Sequence, residues 1–243
     1  VRNGQIVSVQ GSGFGASGPT VVLFDDFERG TNDQNIPLDL AQIGSWTGKL
    51  NNPKYSNLYV HGGNLASRFD SEEIPSPCPN NCYSNMYVTF PPTKDVFVST
   101  WYLSPPGEVF PDTGVPGGTN WKTVWVHGAD SNDDDIFYVH NSEPGTNLLS
   151  YPSIGGNNND NGCSSDRWYP CGTTSKVAHG VWVRLQVWLH DADDQTGAIH
   201  IWEAPWDSSQ DGGQMQRKNY NNTNVLLETG CGTLPCGYFE RAV

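Results

Sequence analysis

The chain has no apolar run approaching the ~18–20 residues that a membrane-spanning helix requires. Charge is also scarce: 16% of the 243 residues are Asp, Glu, Lys or Arg, with 13 basic against 26 acidic. The resulting net charge of −13 repels nucleic acid and anionic membranes, so neither is expected as a partner. It also disfavours polyanionic substrates, unless a local basic patch overrides the average. Helical periodicity is almost absent, and the six histidines show no H-x-x-x-H spacing, so no transition-metal site is expected. No signal peptide is recognisable and Val1 is a poor initiator, so the chain reads as a mature or trimmed form.

What the sequence does hold is Gly, Asn, Ser, Thr, Pro and aromatic residues, the last at 12% with nine tryptophans. That composition points to a globular β protein rather than a disordered one. The length suits one large β domain, and neither an internal repeat nor a dividing linker follows residue 20 or so. We therefore expect residues 1–18 to form an N-terminal strand with a Gly-rich turn and residues 19–243 to form one β-sandwich.

The six cysteines fall in three close pairs, each set among Pro, Asn and Gly: Cys78 with Cys82, Cys163 with Cys171, and Cys231 with Cys236. Zinc sites favour C-x2-C spacing with a matching second pair, which is missing. Three local disulfides pinning loops, and with them a secreted, extracellular location, are the expectation.

Alternation with a period of two recurs along the chain. It is clearest in VWVRLQVWLH, where Val181, Val183, Leu185, Val187 and Leu189 share one face. Trp182, Arg184, Gln186, Trp188 and His190 share the other. The turn DADDQTG follows, then AIHIWEA, which places His200 and Trp202 opposite Ile199 and Ile201. Together they predict a hairpin. Further strands are expected at Val21–Phe24, Tyr87–Phe90, Val96–Leu103, Trp121–His127, Ile136–His140 and residues 224–228. Long irregular stretches are expected at Ser104–Asn120, Ser142–Gly180 and Pro205–Asn222, lengths that usually mean binding or contact.

Two segments resemble known folds. NGQIVSVQGSGFG resembles the second strand and turn of immunoglobulin-like IPT/TIG domains, without the strand that precedes it in that family. From LFDDFERG onward, through VFVSTWYL and GVWVRLQVWLHDADDQTGAIHIWEA, the chain resembles the concanavalin-A-like jelly rolls of lectins, laminarinases and polysaccharide lyases. The resemblance implies an all-β, two-sheet antiparallel sandwich whose late hairpin exposes polar and aromatic side chains. Function does not follow from such a fold alone.

The polar face of the hairpin is the leading candidate for chemistry: Trp182, Arg184, Gln186, Trp188, His190, His200 and Trp202. Trp125 and His127 extend it if they share its sheet. Indoles stack on sugar rings while Arg, Gln and His bond hydroxyls, so a polysaccharide or cell-surface glycan is the expected partner. The competing reading is a second core beneath the loops, with Arg184 paired to a nearby carboxylate. A lyase would draw on a Tyr or His base and a cation, from Arg184, Gln186, His190, His127 and Tyr138, but no lyase signature is present. A hydrolase needs two carboxylates roughly 5–9.5 Å apart; the E-x-D-x-x-E strand of laminarinases is missing, and Glu203 with Asp207 is the nearest substitute.

Calcium is the one cofactor the sequence raises. Asp130, Asp133 and Asp135, with Asp134, form one cluster of hard oxygen donors; Asp191, Asp193 and Asp194 form another. An EF-hand loop from Asp191 would need Glu where Trp202 stands. Asp25, Asp26 and Glu28 are a third potential group, and Asn221 opens a glycosylation sequon.

The opening strand, Gln5, Ile6, Val7, Ser8, Val9 and Gln10, supports a different function. Lacking its hairpin partner and tethered through GSGFGASG, it either folds back on its own sandwich or adds to a sheet edge of the next copy. Repeated head to tail, the second arrangement builds a homopolymeric extracellular filament.

Overall fold

In a computed structural model of the chain, the described residues are 19–69, 84–106, 121–128, 135–140, 153–155, 179–190, 197–205, 216–225 and 239–242. The N-terminal strand 5–10, Asp130 and Asp133, and the turn carrying Asp191, Asp193 and Asp194 lie outside them. So do Cys78, Cys82, Cys163, Cys171, Cys231 and Cys236, and with them the three expected disulfides, Cys78 to Cys82, Cys163 to Cys171 and Cys231 to Cys236.

Alternation decides the best-formed sheet. Val183, Leu185, Val187 and Leu189 are buried in turn along Val183–His190, while the residues between them stay half-exposed. Apolar side chains on one face of a pleated strand can reach a core only this way. Numbering strands along the chain, this is β9, and it pairs antiparallel with β10 (Gly197–Pro205), from Ala198 opposite His190 to Pro205 opposite Val183. The expected hairpin is present. On its other side β9 pairs antiparallel with β5 (Asp95–Tyr102), and β10 pairs with β11 (Gln216–Val225). The order of this four-stranded sheet is β11-β10-β9-β5.

β11 corrects the sequence reading, which took Pro205–Asn222 as irregular. Its residues, QRKNYNNTNV, are mostly poor strand formers. It is a strand by its pairing with β10.

A second sheet has the order β1-β4-β12-β6-β7-β8, antiparallel throughout. It comprises Gly48–Leu50 (β1), Asn85–Thr93 (β4), Phe239–Ala242 (β12), Trp121–Gly128 (β6), Asp135–His140 (β7) and Ser153–Gly155 (β8). Met86, Val88, Val124 and Val126 are buried, so the neighbouring residues Tyr87, Thr89, Trp125 and His127 occupy the other face. Pro91 and Pro92 interrupt the ladder because they lack an N–H, and the β4–β12 register shifts where they stand, between Thr89↔Arg241 and Thr93↔Phe239. Only Lys94 separates β4 from β5, so the chain passes from one sheet to the other there. A two-stranded ribbon of Lys54–Ser56 (β2) and Ala66–Arg68 (β3) completes the described strands. No helix occurs among the described residues, and none is long and apolar enough to cross a membrane. The expected strand at Val21–Phe24 is reduced to a single bridge, Phe24 to Ile43.

Two local devices place the segments around β9. Ser104 Oγ lies 2.7 Å from His179 Nδ1 and both residues are buried; the Gly180 N–H donates to the Ser104 carbonyl at 2.7 Å. These bonds fasten the chain leaving β5 to the chain entering β9. Burial lowers the His179 pKa below its ordinary value, partly offset by a hydrogen bond with the Pro105 backbone.

The second device is the FDDFE segment. Asp25 Oδ1 accepts the Phe27 N–H at 2.8 Å and Oδ2 accepts Trp46 Nε1–H at 2.8 Å; Asp26 accepts the Glu28 N–H at 3.0 Å and the Gln42 amide. Phe27 is held at φ 59, a left-handed conformation rare for a bulky residue. Its packing against the cluster of Ile36, Tyr55 and Met86 retains it there.

Candidate functional site

In antiparallel strands, directly opposed residues share a face. The register therefore arranges the half-exposed side of the four-stranded sheet in rows running across β5, β9 and β10. One row is Asp95, His190 and Ala198; the next is Phe97, Trp188 and His200; then come Ser99, Gln186 and Trp202, and finally Trp101, Arg184 and Ala204. Seven of the nine expected carbohydrate-binding residues are thus brought to one sheet. These are Trp182, immediately before β9, Arg184, Gln186, Trp188, His190, His200 and Trp202.

The rings of this face touch one another. Trp188 meets the buried His200 edge-on, with 4.9 Å between centroids and 70° between planes. It lies nearly parallel to His190, 21° apart at 6.0 Å. His190 Nδ1 is 2.9 Å from Asp95 Oδ1, and Gln186 Nε2 donates to Ser99 Oγ at 3.4 Å. Phe97, at the centre of the β5 contribution, is 58% exposed. Among the described residues Arg184 makes no ion pair.

Four contributors escape the sequence reading. Phe97, Ser99 and Trp101 sit on β5, and their signal was available in the alternation of VFVSTWY against the buried Val96. His61 gave no signal. It comes from the turn between β2 and β3, stacks on Trp101 with centroids 3.8 Å apart and planes 23° apart, and meets Trp182 edge-on at 5.7 Å. Burial lowers the His61 pKa below its ordinary value, which favours the neutral ring on Trp101.

Glu28 fixes that turn. Its carboxylate accepts the Asn64 N–H at 2.9 Å and the Leu65 N–H at 3.0 Å, three to four residues beyond His61. Gly63 permits the approach: its φ is +98, and a Cβ there would overlap the Glu28 carboxylate. With Asp25, Asp26 and Glu28 all engaged in such bonds, the potential cation ligands at 25–28 are accounted for as loop fastenings.

Trp125 and His127 do not extend the β9 face. They stand on β6 in the six-stranded sheet, stacked on each other at 4.3 Å. Glu203, the potential acid, falls in the register of Leu185 rather than of Trp188, and Asp207 is outside the described residues. Tyr138 pairs in register with Val124 on β7, away from β9. Asp135 opens β7 in register with His127. Among the described residues no three His, Cys, Asp or Glu side chains are grouped to hold a metal ion.

Comparison with known proteins found no matching family model, no matching curated protein and no matching solved structure.

Proposed function

We propose that the protein is a secreted, non-catalytic glycan-binding β-sandwich of the jelly-roll class, using the outer face of β5, β9 and β10. The supporting observation is the row Phe97–Trp188–His200, three rings in register across adjacent strands, with Phe97 exposed at its open end. Such a row offers the apolar CH faces of sugar rings a surface to stack on. The Asp95–His190 pair, Gln186, Ser99 and Arg184 supply polar groups of the kind that fix hydroxyls around it. The buried apolar sides of the two sheets, Val183, Leu185 and Leu189 on one and Met86, Val88 and Val126 on the other, suit a sandwich in which they face each other. The close spacing of Cys78 and Cys82, of Cys163 and Cys171, and of Cys231 and Cys236 supports the extracellular location. On a glycan array the wild type is expected to retain a defined set of saccharides, and a variant carrying both Trp182→Ala and Trp188→Ala to retain none. A wild type that binds no glycan sinks this reading.

A second reading, assembly into a filament, is supported by the apolar residues exposed where the chain enters the described region. Val21, Val22, Phe24 and Ile43 are all open to solvent, the last two paired by the bridge. A patch of this kind fits coverage by a second copy whose residues 5–10 add as a strand. Deleting residues 1–15 then yields a soluble monomer; a filament that survives the deletion contradicts it.

A further inference from the structure

The sole basic side chain described on β12 lies beside the aromatic pair that failed to join the β9 face. Arg241 is registered opposite Thr89 of β4 and His127 of β6. Its Nη2 donates to His127 Nδ1 at 3.0 Å, and its guanidinium carbon sits 5.5 Å from the centre of the Tyr87 ring. Tyr87 can lie there because Gly48 faces it; a Cβ on residue 48 would overlap the Tyr87 ring. Trp125 stacks on His127 in turn. The cation is therefore held between two rings, on the face of the sheet opposite Val88 and Val126.

Among the described residues Arg241 makes no ion pair, in a chain whose acidic residues outnumber its basic ones two to one, 26 against 13. Its Nε is shut off from solvent without a hydrogen bond, and Thr123 Oγ1 on the same strand as Trp125 is in the same condition. A guanidinium has five N–H donors in a planar fork, and among the described residues only one has an acceptor. Such a fork matches a carboxylate two bonds at a time, and positioning it beforehand removes much of the ordering cost of binding.

We propose a second ligand site on β4, β12 and β6 in which Arg241, set between Tyr87 and His127 beside Trp125, takes the carboxylate of an acidic saccharide. The cation selects the carboxylate and the indole selects the sugar ring that bears it. The net charge of −13 gives an approaching anion no long-range attraction, so recognition is by contact and one uronate unit suffices. This site is independent of the β9 face, and either can fail without the other.

The test is a titration of the whole chain with uronate trimers (galacturonate, glucuronate, mannuronate) and their methyl esters, read in 1H–15N spectra at physiological salt. An acid form is expected to shift the Arg241 Nε–H and Trp125 indole signals while its uncharged ester leaves them in place. Arg241→Gln is expected to weaken the acid form by about tenfold or more, the loss of a charge-assisted pair. Arg241→Lys keeps the charge without the fork and falls between the two; the wild-type spectra stand even if neither variant folds. No shift at Arg241 with any trimer, an equal shift with the esters, or an acid-dependent shift centred on Trp188 instead overturns the proposal. So does an equal response to sulfate alone, which would make the site one for any small anion.

Discussion

His61 and Trp101 stack ring on ring, 3.8 Å between centroids and 23° between planes, although one comes from a turn and the other from the end of β5. The contact closes one end of the aromatic face and leaves Phe97 and Trp188 at the other. It also buries an imidazole, which ties the site to pH.

Burial holds His61 and His179 below the ordinary 6.5, so the unfolded chain takes up these protons at a higher pH than the folded one. Stability from these two groups is complete above pH 6.5 and falls as the pH drops from 6.5 toward the lowered values. Thermal unfolding is expected at a lower Tm at about pH 5.5 than at about pH 7.5. His61→Phe keeps a ring on Trp101 without a proton, and His179→Gln removes the other group; each is expected to flatten the dependence. An unchanged slope in both variants contradicts the assignment.

Glu28 acts on the face at a distance. Glu28→Ala leaves the exposed Asn64 and half-buried Leu65 amides without their acceptor, a loss of about 0.5–1.5 kcal/mol per bond, least for the exposed one. Hydrogen exchange at these two amides is expected to quicken, and glycan affinity to fall without any contact residue having changed. Gly63→Ala is expected to do the same through its positive φ and its contact with the Glu28 carboxylate. Exchange rates equal to the wild type would show that the turn is held some other way.

Neighbours on β9 separate folding from binding. Leu185 is fully buried, and Leu185→Ala is expected to cost about 2–5 kcal/mol in denaturant unfolding. Arg184 is half-exposed and unpaired among the described residues, so Arg184→Ala is expected to change stability by less than about 0.5 kcal/mol. Similar costs for the two would mean that the sheet's faces are assigned the wrong way round.

The hairpin of β9 and β10 was legible because strict alternation fixes which side is buried, and the register then follows from the pairing. β11 was not, since its Asn, Gln and Lys carry no apolar period and its pairing with β10 is what makes it a strand. The three-residue strands β1, β2, β3 and β8 are too short to show a period at all. At the site, Trp188, His190 and Arg184 could be read from their own strand, whereas Phe97 required knowing that β5 is the neighbour. His61 and Arg241 belong to contacts between segments far apart in the chain, which no local pattern records. Trp125 and His127 had the right chemistry, but which sheet receives β6 is decided by its pairing with β12 and β7.

Phe97 offers the most direct measurement, because a side chain 58% exposed contributes little to the core and removing it tests binding alone. Titration calorimetry of wild type and Phe97→Ala against a saccharide retained on the array is expected to show a loss of about 1 kcal/mol or more with Tm nearly unchanged. Equal affinities for the two proteins, with Tm unchanged, would contradict glycan binding on this face.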